Sequence, residues 1–177
     1  MKLLILDRDG VINHDSDQYI KRPDEWRPLS GSLEAIAKLN QAGWRIVVAT
    51  NQSGVARKLF TMETLNAIHA KMHKAVTQAG GRIEAVFYCP DNADSNSPCR
   101  KPNPGMLLAI SERFNAPLSA VPVVGDSLRD LQAAERAGAQ PVLVLTGNGR
   151  KTRKQGSLPE TTRIFPDLAA VARELMQ

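Results

Sequence analysis

Four segments of the chain carry residues suited to binding a metal ion and a phosphoryl group. In the first, residues 7–12 (DRDGVI), two carboxylates lie two residues apart and can share one metal-centred site. In another, residues 125–130 (GDSLRD), Asp126 and Asp130 are four positions apart. Each pattern has an ordinary alternative, because Asp and Gly are common in turns and Asp126 could cap a helix. Either segment alone is therefore weak evidence for a site.

The other two segments offer groups that hold anions. Residues 50–54 (TNQSG) supply a hydroxyl group and small residues whose backbone amides can approach a phosphate, although a turn before a helix has the same composition. Residues 100–104 (RKPNP) place two cations in a rigid, proline-bracketed segment, which could equally be a solvated basic turn. Whether the four segments are evidence for one site depends on whether the fold brings them together.

Apolar runs of strand length alternate with helical patterns along the chain. The runs are rich in Val, Ile and Leu with little alternation, which is typical of strands buried on both faces of a parallel sheet. This order predicts right-handed βαβ units and an α/β fold with a doubly wound, mostly parallel sheet and helices on both faces. Ligands of such sheets bind beyond the carboxyl ends of the strands, so all four segments are expected at one edge. The sheet has at least five strands, at residues 3–6, 44–49, 83–88, 121–124 and 142–145.

Several helices are predicted from their start signals. Thr61 is expected to cap the second helix, and Asn103 to cap a third helix whose first turn contains Pro104. Asp167 is expected to cap a last helix that reaches residue 175. Residues 150–154, with four basic residues in five, are predicted to be a solvated loop rather than a site for phosphate or nucleic acid.

Length, composition and charge limit the function classes. The chain has 177 residues, of which 42% are hydrophobic and 23% charged, so one domain over residues 1–177 is expected. The net charge of +5 favours anionic partners. Two cysteines are too few for a disulfide scaffold and predict a reducing compartment. The first apolar run is too short for a signal peptide, and no run could cross a bilayer. We therefore expect a cytoplasmic monomer with no membrane partner.

The four segments, in this order, resemble the motifs of the haloacid dehalogenase (HAD) superfamily of phosphotransferases. Residues 7–10, 50–55 and 99–106 (CRKPNPGM) are further similar to the D-glycero-D-manno-heptose-1,7-bisphosphate 7-phosphatases, and the resemblance extends from Leu3 to Leu145. It implies a Rossmann-like, HAD-type fold and Mg²⁺-dependent removal of the 7-phosphate of a phosphorylated sugar, in the biosynthesis of nucleotide-activated heptose for lipopolysaccharide. No stretch between the motifs is long enough for a separate cap domain, so an open site is expected.

The resemblance also assigns roles to the acidic residues. Asp7 would be the nucleophile that forms an aspartyl-phosphate, and Asp9 the general acid and then base. The resemblance implies Mg²⁺ bound by Asp7, the backbone carbonyl of Asp9 and Asp126, a set that suits this hard cation. Asp130 would orient Lys101 or a metal ligand rather than bind the metal itself.

Further residues are implied to bind the substrate. Thr50 and Lys101 would hold oxygens of the transferred phosphoryl group. Arg100 would bind a second phosphate, because its planar guanidinium can chelate an anion with two hydrogen bonds. Additional contacts are expected from the segments after the first and second strands, at Asp15, Gln18, Tyr19, Asn51, Gln52 and Ser53.

The chain departs from the family in the loop before residue 100. These families usually carry a Cys-x-His and Cys-x-Cys zinc site there, and the corresponding residues here are Cys89, Asp91, Ser97 and Cys99. Structural zinc normally has four nitrogen or sulfur ligands. No structural Zn²⁺ is therefore expected, and a disulfide between the cysteines is expected only under oxidising conditions.

Three other functions fit parts of the pattern. Histidinol-phosphate phosphatases and other small phosphomonoesterases share most of these motifs. A polynucleotide 3′-end phosphatase is permitted by the charge, but two Trp and two Tyr offer few stacking surfaces, so no specific nucleic-acid partner is expected. A non-catalytic phosphosugar-binding protein is disfavoured because every motif residue is present.

Overall fold

Strands and helices alternate along the chain in a computed structural model that describes Met1–Gln177. The six strands are β1 (Lys2–Leu6), β2 (Trp44–Asn51), β3 (Ala85–Cys89), β4 (Pro122–Gly125), β5 (Gln140–Val144) and β6 (Arg163–Phe165). The six α-helices are α1 (Ser32–Gln41), α2 (Met62–Gln78), α3 (Gly105–Phe114), α4 (Leu128–Arg136), α5 (Gly149–Gln155) and α6 (Leu168–Leu175). Single 3₁₀ turns lie at Pro23–Glu25, Ala93–Ser95 and Leu118–Ala120.

All six strands are parallel and form one sheet in the order β3-β2-β1-β4-β5-β6. The predicted doubly wound α/β fold is thus confirmed. Strand β1 lies in the middle, where Leu6 pairs with Val48 of β2 on one side and Val124 of β4 on the other. The strand order reverses between β1 and β4, which opens a crevice at their carboxyl ends. Asp7 follows β1 at this crevice.

The sheet is covered by helices on both faces because its strands are apolar on both faces. Leu4 and Leu6 of β1 pack with α1, α2 and α6 in a cluster of 21 buried residues. Leu3 and Ile5, which alternate with them, pack with α3 and α4 in a second cluster of 15. Strand β1 is therefore fixed from both sides, and the residues that follow it have a rigid support.

Two elements near the C-terminus differ from the sequence prediction. Strand β6 was not predicted, because this three-residue edge strand has two exposed positions and lacks a long apolar run. Residues 150–154 were predicted to be a loop and instead form most of α5. Only Gly149 and Thr152 of that helix are buried, so it has no apolar stripe that could have revealed it.

The predicted helix starts are correct in two cases and wrong in one. The Thr61 hydroxyl accepts a hydrogen bond from the Thr64 backbone amide, and Asp167 caps α6 in the same way. Asn103 does not cap α3, whose N-cap is Pro104. The Asn103 side chain instead donates to the Ser97 carbonyl at 2.9 Å, which ties the segment before α3 to the cysteine loop. None of the helices has the length and hydropathy needed to span a membrane.

Candidate active site

A polar cavity of about 350 Å³ lies at the carboxyl ends of β1, β2 and β4. The four sequence segments contribute to its wall, together with residues that follow β1 and β5. Its lining residues are Asp7, Asp9, Asp15, Ser16, Asp17, Tyr19, Ile20, Asn51, Gln52, Ser53, Arg57, Arg100, Lys101, Asp126, Arg129 and Asn148. The fold therefore brings most of the predicted site residues together.

Lys101 forms the centre of a buried ion-pair network beside the cavity. Its Nζ lies 2.7 Å from Asp130 Oδ1, 3.1 Å from Asp7 Oδ1 and 2.9 Å from the Ala49 carbonyl. Burial alone would lower the pKa of Lys101, but Asp130 and Asp7 raise it, so the ammonium stays charged. The network fixes one positive charge next to Asp7.

Asp130 is held in place rather than presented to the cavity. Its Oδ2 accepts hydrogen bonds from the Ser127 backbone amide at 3.0 Å and the Ser127 hydroxyl at 2.8 Å, which caps α4. Burial would raise its pKa, but the ion pair with Lys101 keeps it below the ordinary value. These contacts fit the predicted orienting role of Asp130.

The carboxylates of Asp7, which is partly buried, and Asp126, which is buried, have oxygen atoms within 4.8 Å of each other. Burial and repulsion from Asp130 raise the pKa of Asp7 to about 7 despite the nearby Lys101. Burial, followed by repulsion from Asp130 and Asp7, raises the pKa of Asp126 to about 8. Both shifts indicate that Lys101 and the hydrogen bonds from the protein do not fully balance the negative charge of the carboxylates.

The backbone closes tightly around Asp126. Its Oδ2 accepts a hydrogen bond from the Asn148 amide at 2.8 Å. Gly10 and Gly147 both have positive φ, and a Cβ atom on either would overlap the Asp126 carboxylate. The Thr146 hydroxyl donates to the Gly10 carbonyl at 2.7 Å, so the segment after β5 is tied to the segment after β1. Asp126 is therefore fixed with little freedom to move.

The carboxylate cluster fits a divalent cation. Oxygen atoms of Asp7, Asp126 and Asp130 lie within 4.8 Å of one another. Both oxygens of Asp130 are used by Lys101 and Ser127, whereas Asp7 Oδ2 and Asp126 Oδ1 accept no hydrogen bond and could bind a metal. Oxygen donors and few carboxylates are the ligands that Mg²⁺ prefers. A cation here would also relieve the repulsion that raises the two pKa values.

Asp9 is a carboxylate of a different kind, because it is fully compensated by its neighbours. Its Oδ1 accepts hydrogen bonds from Arg8 Nε at 3.1 Å, Arg8 Nη2 at 2.9 Å and Asn13 Nδ2 at 2.9 Å. Its Oδ2 accepts one from Gln52 Nε2 at 3.1 Å. Burial would raise the pKa of Asp9, but the Arg8 charge and these hydrogen bonds lower it. Asp7 and Asp9 thus have opposite pKa shifts, because Arg8 compensates the charge of Asp9, whereas Asp7 shares Lys101 with Asp130.

The end of β2 and the residues that follow it contribute unequally to the site. Asn51 Nδ2 donates to the Lys101 carbonyl at 3.0 Å and Asn51 Oδ1 accepts from the Lys101 amide at 3.1 Å, which joins the second and third segments. Asn51, Gln52 and Ser53 line the cavity, as predicted. Thr50 does not, because it is 1% exposed and its hydroxyl accepts from Gln52 at 2.9 Å.

One part of the cavity rim is basic. Arg57, Arg100 and Arg129 line it, and none of the three pairs with a carboxylate. Burial and then the charges of Arg129 and Arg57 lower the pKa of Arg100. One Arg100 N–H donates to the Asp91 carbonyl at 3.1 Å, which leaves its other donors free. Tyr19 lies under Arg57, 6.0 Å from the ring centre. This rim has the charge and donors to bind a second anion.

Some residues differ from the prediction. Arg57, Arg129 and Asn148 line the cavity but were not predicted. Arg57 and Arg129 lie inside or beside the motif segments, so their proximity in sequence was a usable signal. No such signal exists in the sequence for Asn148, because this residue lies 22 positions from Asp126, which it contacts. Gln18 was predicted to bind substrate but lines a neighbouring groove instead.

Asp15 joins two edges of the cavity. Its Oδ2 accepts a hydrogen bond from Asn148 Nδ2 at 2.8 Å, and the residue lines the cavity as predicted. Burial, together with the charge of Asp9, raises the pKa of Asp15. This contact links the segment after β1 with the start of α5 by side chains as well as by backbone.

The loop between β3 and the basic segment is closed by a disulfide between Cys89 and Cys99, whose Cα atoms are 5.6 Å apart. Asp91 Oδ2 lies 3.7 and 3.6 Å from the two sulfur atoms, and Ser97 Oγ lies 3.9 and 3.3 Å from them. The four positions corresponding to the family zinc site therefore cluster. Zinc binds cysteine as the thiolate, which a disulfide does not offer, so this donor set does not fit Zn²⁺. The expectation of no structural zinc stays a prediction.

Comparison with known proteins extends these observations. A family model described as HAD-hydrolase-like matches residues 98–171. The D-glycero-beta-D-manno-heptose-1,7-bisphosphate 7-phosphatase of Bordetella bronchiseptica is 62% identical over 177 residues, covering 100% of this chain and 99% of that protein. The enzyme of the same name from Pseudomonas putida is 56% identical over 176 residues, covering 99% of this chain and 100% of that protein.

A solved structure matches the whole fold. The crystal structure of D,D-heptose 1,7-bisphosphate phosphatase from B. bronchiseptica, complexed with magnesium and phosphate, has a TM-score of 0.98 and 62% sequence identity to this chain. The match covers 100% of this chain and 99% of that one. The similarity therefore includes every element that forms the cavity.

Proposed function

The chain belongs to the heptose-1,7-bisphosphate 7-phosphatases of the HAD-like hydrolases, and we propose that it removes the 7-phosphate of D-glycero-β-D-manno-heptose 1,7-bisphosphate with Mg²⁺ as cofactor. One observation carries the choice of substrate. The same cavity is lined by a centre of carboxylates with Lys101 and by three guanidinium groups that pair with no carboxylate. A sugar with a phosphate at each end matches both. The β anomer follows the names of the relatives.

Phosphoryl transfer starts at Asp7. A carboxylate oxygen of Asp7 attacks phosphorus and forms an aspartyl-phosphate as the bond between phosphorus and the sugar oxygen breaks. A proton from Asp9 goes to that sugar oxygen, which leaves as the C7 hydroxyl. Asp9, now a carboxylate, takes a proton from water, whose oxygen attacks phosphorus. Inorganic phosphate is released and the Asp7 carboxylate is restored.

The remaining residues neutralise and orient charge. Asp7, the backbone carbonyl of Asp9 and Asp126 would hold Mg²⁺, which supplies positive charge to the transferring phosphoryl group when bound. Lys101, fixed by Asp130, places its ammonium beside the same group. The positions of these groups are set before substrate arrives, so little reorganisation is needed during the reaction.

The phosphate that stays on the sugar binds at the basic rim. Arg100 offers guanidinium donors that are not used within the protein, and Arg57 and Arg129 add two further positive charges. Asn51 and Ser53 also line the cavity, where they could contact the sugar hydroxyls. This arrangement explains how an open site could prefer a bisphosphate to a monophosphate.

The proposal is tested by a phosphate-release screen. Purified protein is assayed with heptose 1,7-bisphosphate in both anomeric forms, histidinol phosphate and a 3′-phosphorylated oligonucleotide, each with Mg²⁺ and with EDTA. We expect the β-bisphosphate to have the highest kcat/KM and EDTA to abolish turnover. A higher kcat/KM for histidinol phosphate or the oligonucleotide would contradict the proposed substrate.

Asp7→Asn tests the covalent step in the same assay. The substitution removes the nucleophile and one metal ligand while keeping the side-chain shape, so turnover should be lost without loss of the fold. Circular dichroism and the melting temperature give the control for folding. Near-normal phosphate release by Asp7→Asn would exclude Asp7 as the nucleophile.

We also propose that the enzyme acts as a cytoplasmic monomer. Its substrate class is a soluble phosphorylated sugar, and the site is built from one chain. Size-exclusion chromatography with light scattering tests the oligomeric state, and cell fractionation tests the location.

A further inference from the structure

Arg8 is a charged side chain with no exposed surface, although it lies between two residues of the proposed active site. Arginine is almost never fully buried unless it is paired. Here the guanidinium is paired in two directions. Nε and Nη2 both donate to Asp9 Oδ1, at 3.1 and 2.9 Å, and Nη1 lies 3.0 Å from His69 Nε2. The side chain therefore connects Asp9 to helix α2.

The contact with His69 defines the state of that imidazole. A guanidinium can only donate hydrogen bonds, so Nε2 of His69 must accept, and the ring is neutral with its proton on Nδ1. Burial and the Arg8 charge lower the pKa of His69 to about 3, which agrees with this state. His69 is 7% exposed and lies on α2, so its position is fixed by the helix. It acts as a rigid acceptor behind Arg8.

The two oxygens of Asp9 consequently have different surroundings. Oδ1 accepts three hydrogen bonds, two from Arg8 and one from Asn13 at 2.9 Å. Oδ2 accepts one, from Gln52. Three donors on Oδ1, two of them charged, leave no room for a proton there. The Gln52 carboxamide can present either its nitrogen or its oxygen, so Oδ2 can be satisfied with or without a proton.

We propose that Arg8, backed by His69, is a positioning residue that reserves Asp9 Oδ1 for structural contacts and leaves Oδ2 to exchange the proton during catalysis. The inference rests on the proposed function, in which Asp9 is the acid and base. Of the three linked residues Asp9, Arg8 and His69, only Asp9 lines the cavity. A change there should disturb proton transfer while leaving the nucleophile and the metal ligands in place.

The test separates the two chemical steps with p-nitrophenyl phosphate. Its leaving group needs no proton, so formation of the aspartyl-phosphate does not require Asp9 as an acid, whereas hydrolysis of the intermediate requires Asp9 as a base. His69→Leu removes the acceptor at similar size, and His69→Gln retains one. His73→Leu is the matched control, since it removes another histidine of α2 that does not contact Arg8.

For His69→Leu we expect a normal burst of p-nitrophenolate followed by turnover slowed roughly 10- to 100-fold, part of the effect of a positioned acid or base. Turnover of the heptose bisphosphate should fall at least as much. His69→Gln should recover most of the rate, and His73→Leu should match the wild type. Equal slowing of the burst and of turnover, or no slowing at all, would overturn the proposal.

Two further arms keep the test decisive. If His69→Leu does not fold, His69→Ala is assayed with and without added imidazole, since His69 borders a groove lined by α2 and by Val86 and Tyr88 of β3. Recovery by imidazole supports the proposal, and its absence contradicts it. Because p-nitrophenyl phosphate reports the steps without the sugar, a wild-type protein inactive on heptose bisphosphate would refute the proposed substrate and not this inference.

Discussion

Substitution of Arg100 tests how the site distinguishes a bisphosphate from a monophosphate. One Arg100 N–H is used by the Asp91 carbonyl, and the guanidinium has no carboxylate partner, so its remaining donors are available to an anion. Burial and then the charges of Arg129 and Arg57 lower the pKa of Arg100, and a bound phosphate would relieve the repulsion among the three arginines. Arg100→Ala should therefore remove a charge-assisted contact to the phosphate that stays.

The size of the effect follows from that contact. A hydrogen bond to a charged group contributes about 1.5–3 kcal/mol. At about 1.4 kcal/mol for each tenfold change, Arg100→Ala should lower kcat/KM for heptose 1,7-bisphosphate by about 10- to 150-fold. The rate with heptose 7-phosphate should change little, because that substrate lacks the second phosphate.

Steady-state phosphate release at fixed ionic strength measures both substrates. Arg150→Ala serves as the matched control, because it removes an exposed arginine that does not line the cavity. An equal loss of kcat/KM on both substrates would refute the reasoning. It would show that Arg100 acts on the reacting phosphate or supports the fold.

Three other perturbations have defined outcomes. Asp130→Asn removes the 2.7 Å partner of buried Lys101 and should lower the free energy of unfolding by about 3 kcal/mol, measured in urea; no loss would show that the pair is dispensable. When no metal is bound, burial and neighbouring carboxylates raise the pKa of Asp7 from 3.8 to about 7 and that of Asp126 to about 8. Between about pH 4 and about pH 8 the folded state therefore binds more protons than the unfolded chain. The free energy of unfolding without metal should therefore fall as pH rises through this range. In calorimetry, Mg²⁺ should raise Tm more at about pH 8.5 than at about pH 6. A Tm increase by Mg²⁺ that does not depend on pH would contradict this. Elemental analysis should find far less than one zinc per chain, and a zinc chelator should leave Tm unchanged; stoichiometric zinc would mean that Cys89 and its neighbours bind it as thiolates and other donors.

Much of the fold could be predicted because its central strands are buried on both faces. Such strands are recorded in the sequence as continuous apolar runs, and parallel order then places their ends together. Strand β6 and helix α5 lack this signal, because most of their residues are not buried. Asn103 shows the complementary limit. Its position favours a helix cap, but a tertiary contact with Ser97 uses the side chain instead.

The site was predictable where a side chain follows a strand directly. Asp7 and Asp126 belong to this class, because strand direction alone determines where they lie. Asn148 and Gln18 do not, since neither directly follows a strand, and Asn148 is held by contacts with Asp126 and Asp15. Arg8 is a third case. Its place in the motif was evident, but only the structure shows that its charge is buried and directed to His69.

The close approach of two glycines to Asp126 has a consequence for the choice of cation. Gly10 and Gly147 leave no space for the carboxylate to retreat, and the Asn148 amide holds it from a third side. Calcium needs longer bonds, of about 2.3–2.6 Å, and more ligands than magnesium, which binds at about 2.0–2.1 Å. A carboxylate that cannot move away from the metal cannot lengthen its bond to accommodate a larger cation. The protein should therefore discriminate between ions by radius, and this selectivity is encoded in residues that have no side chain.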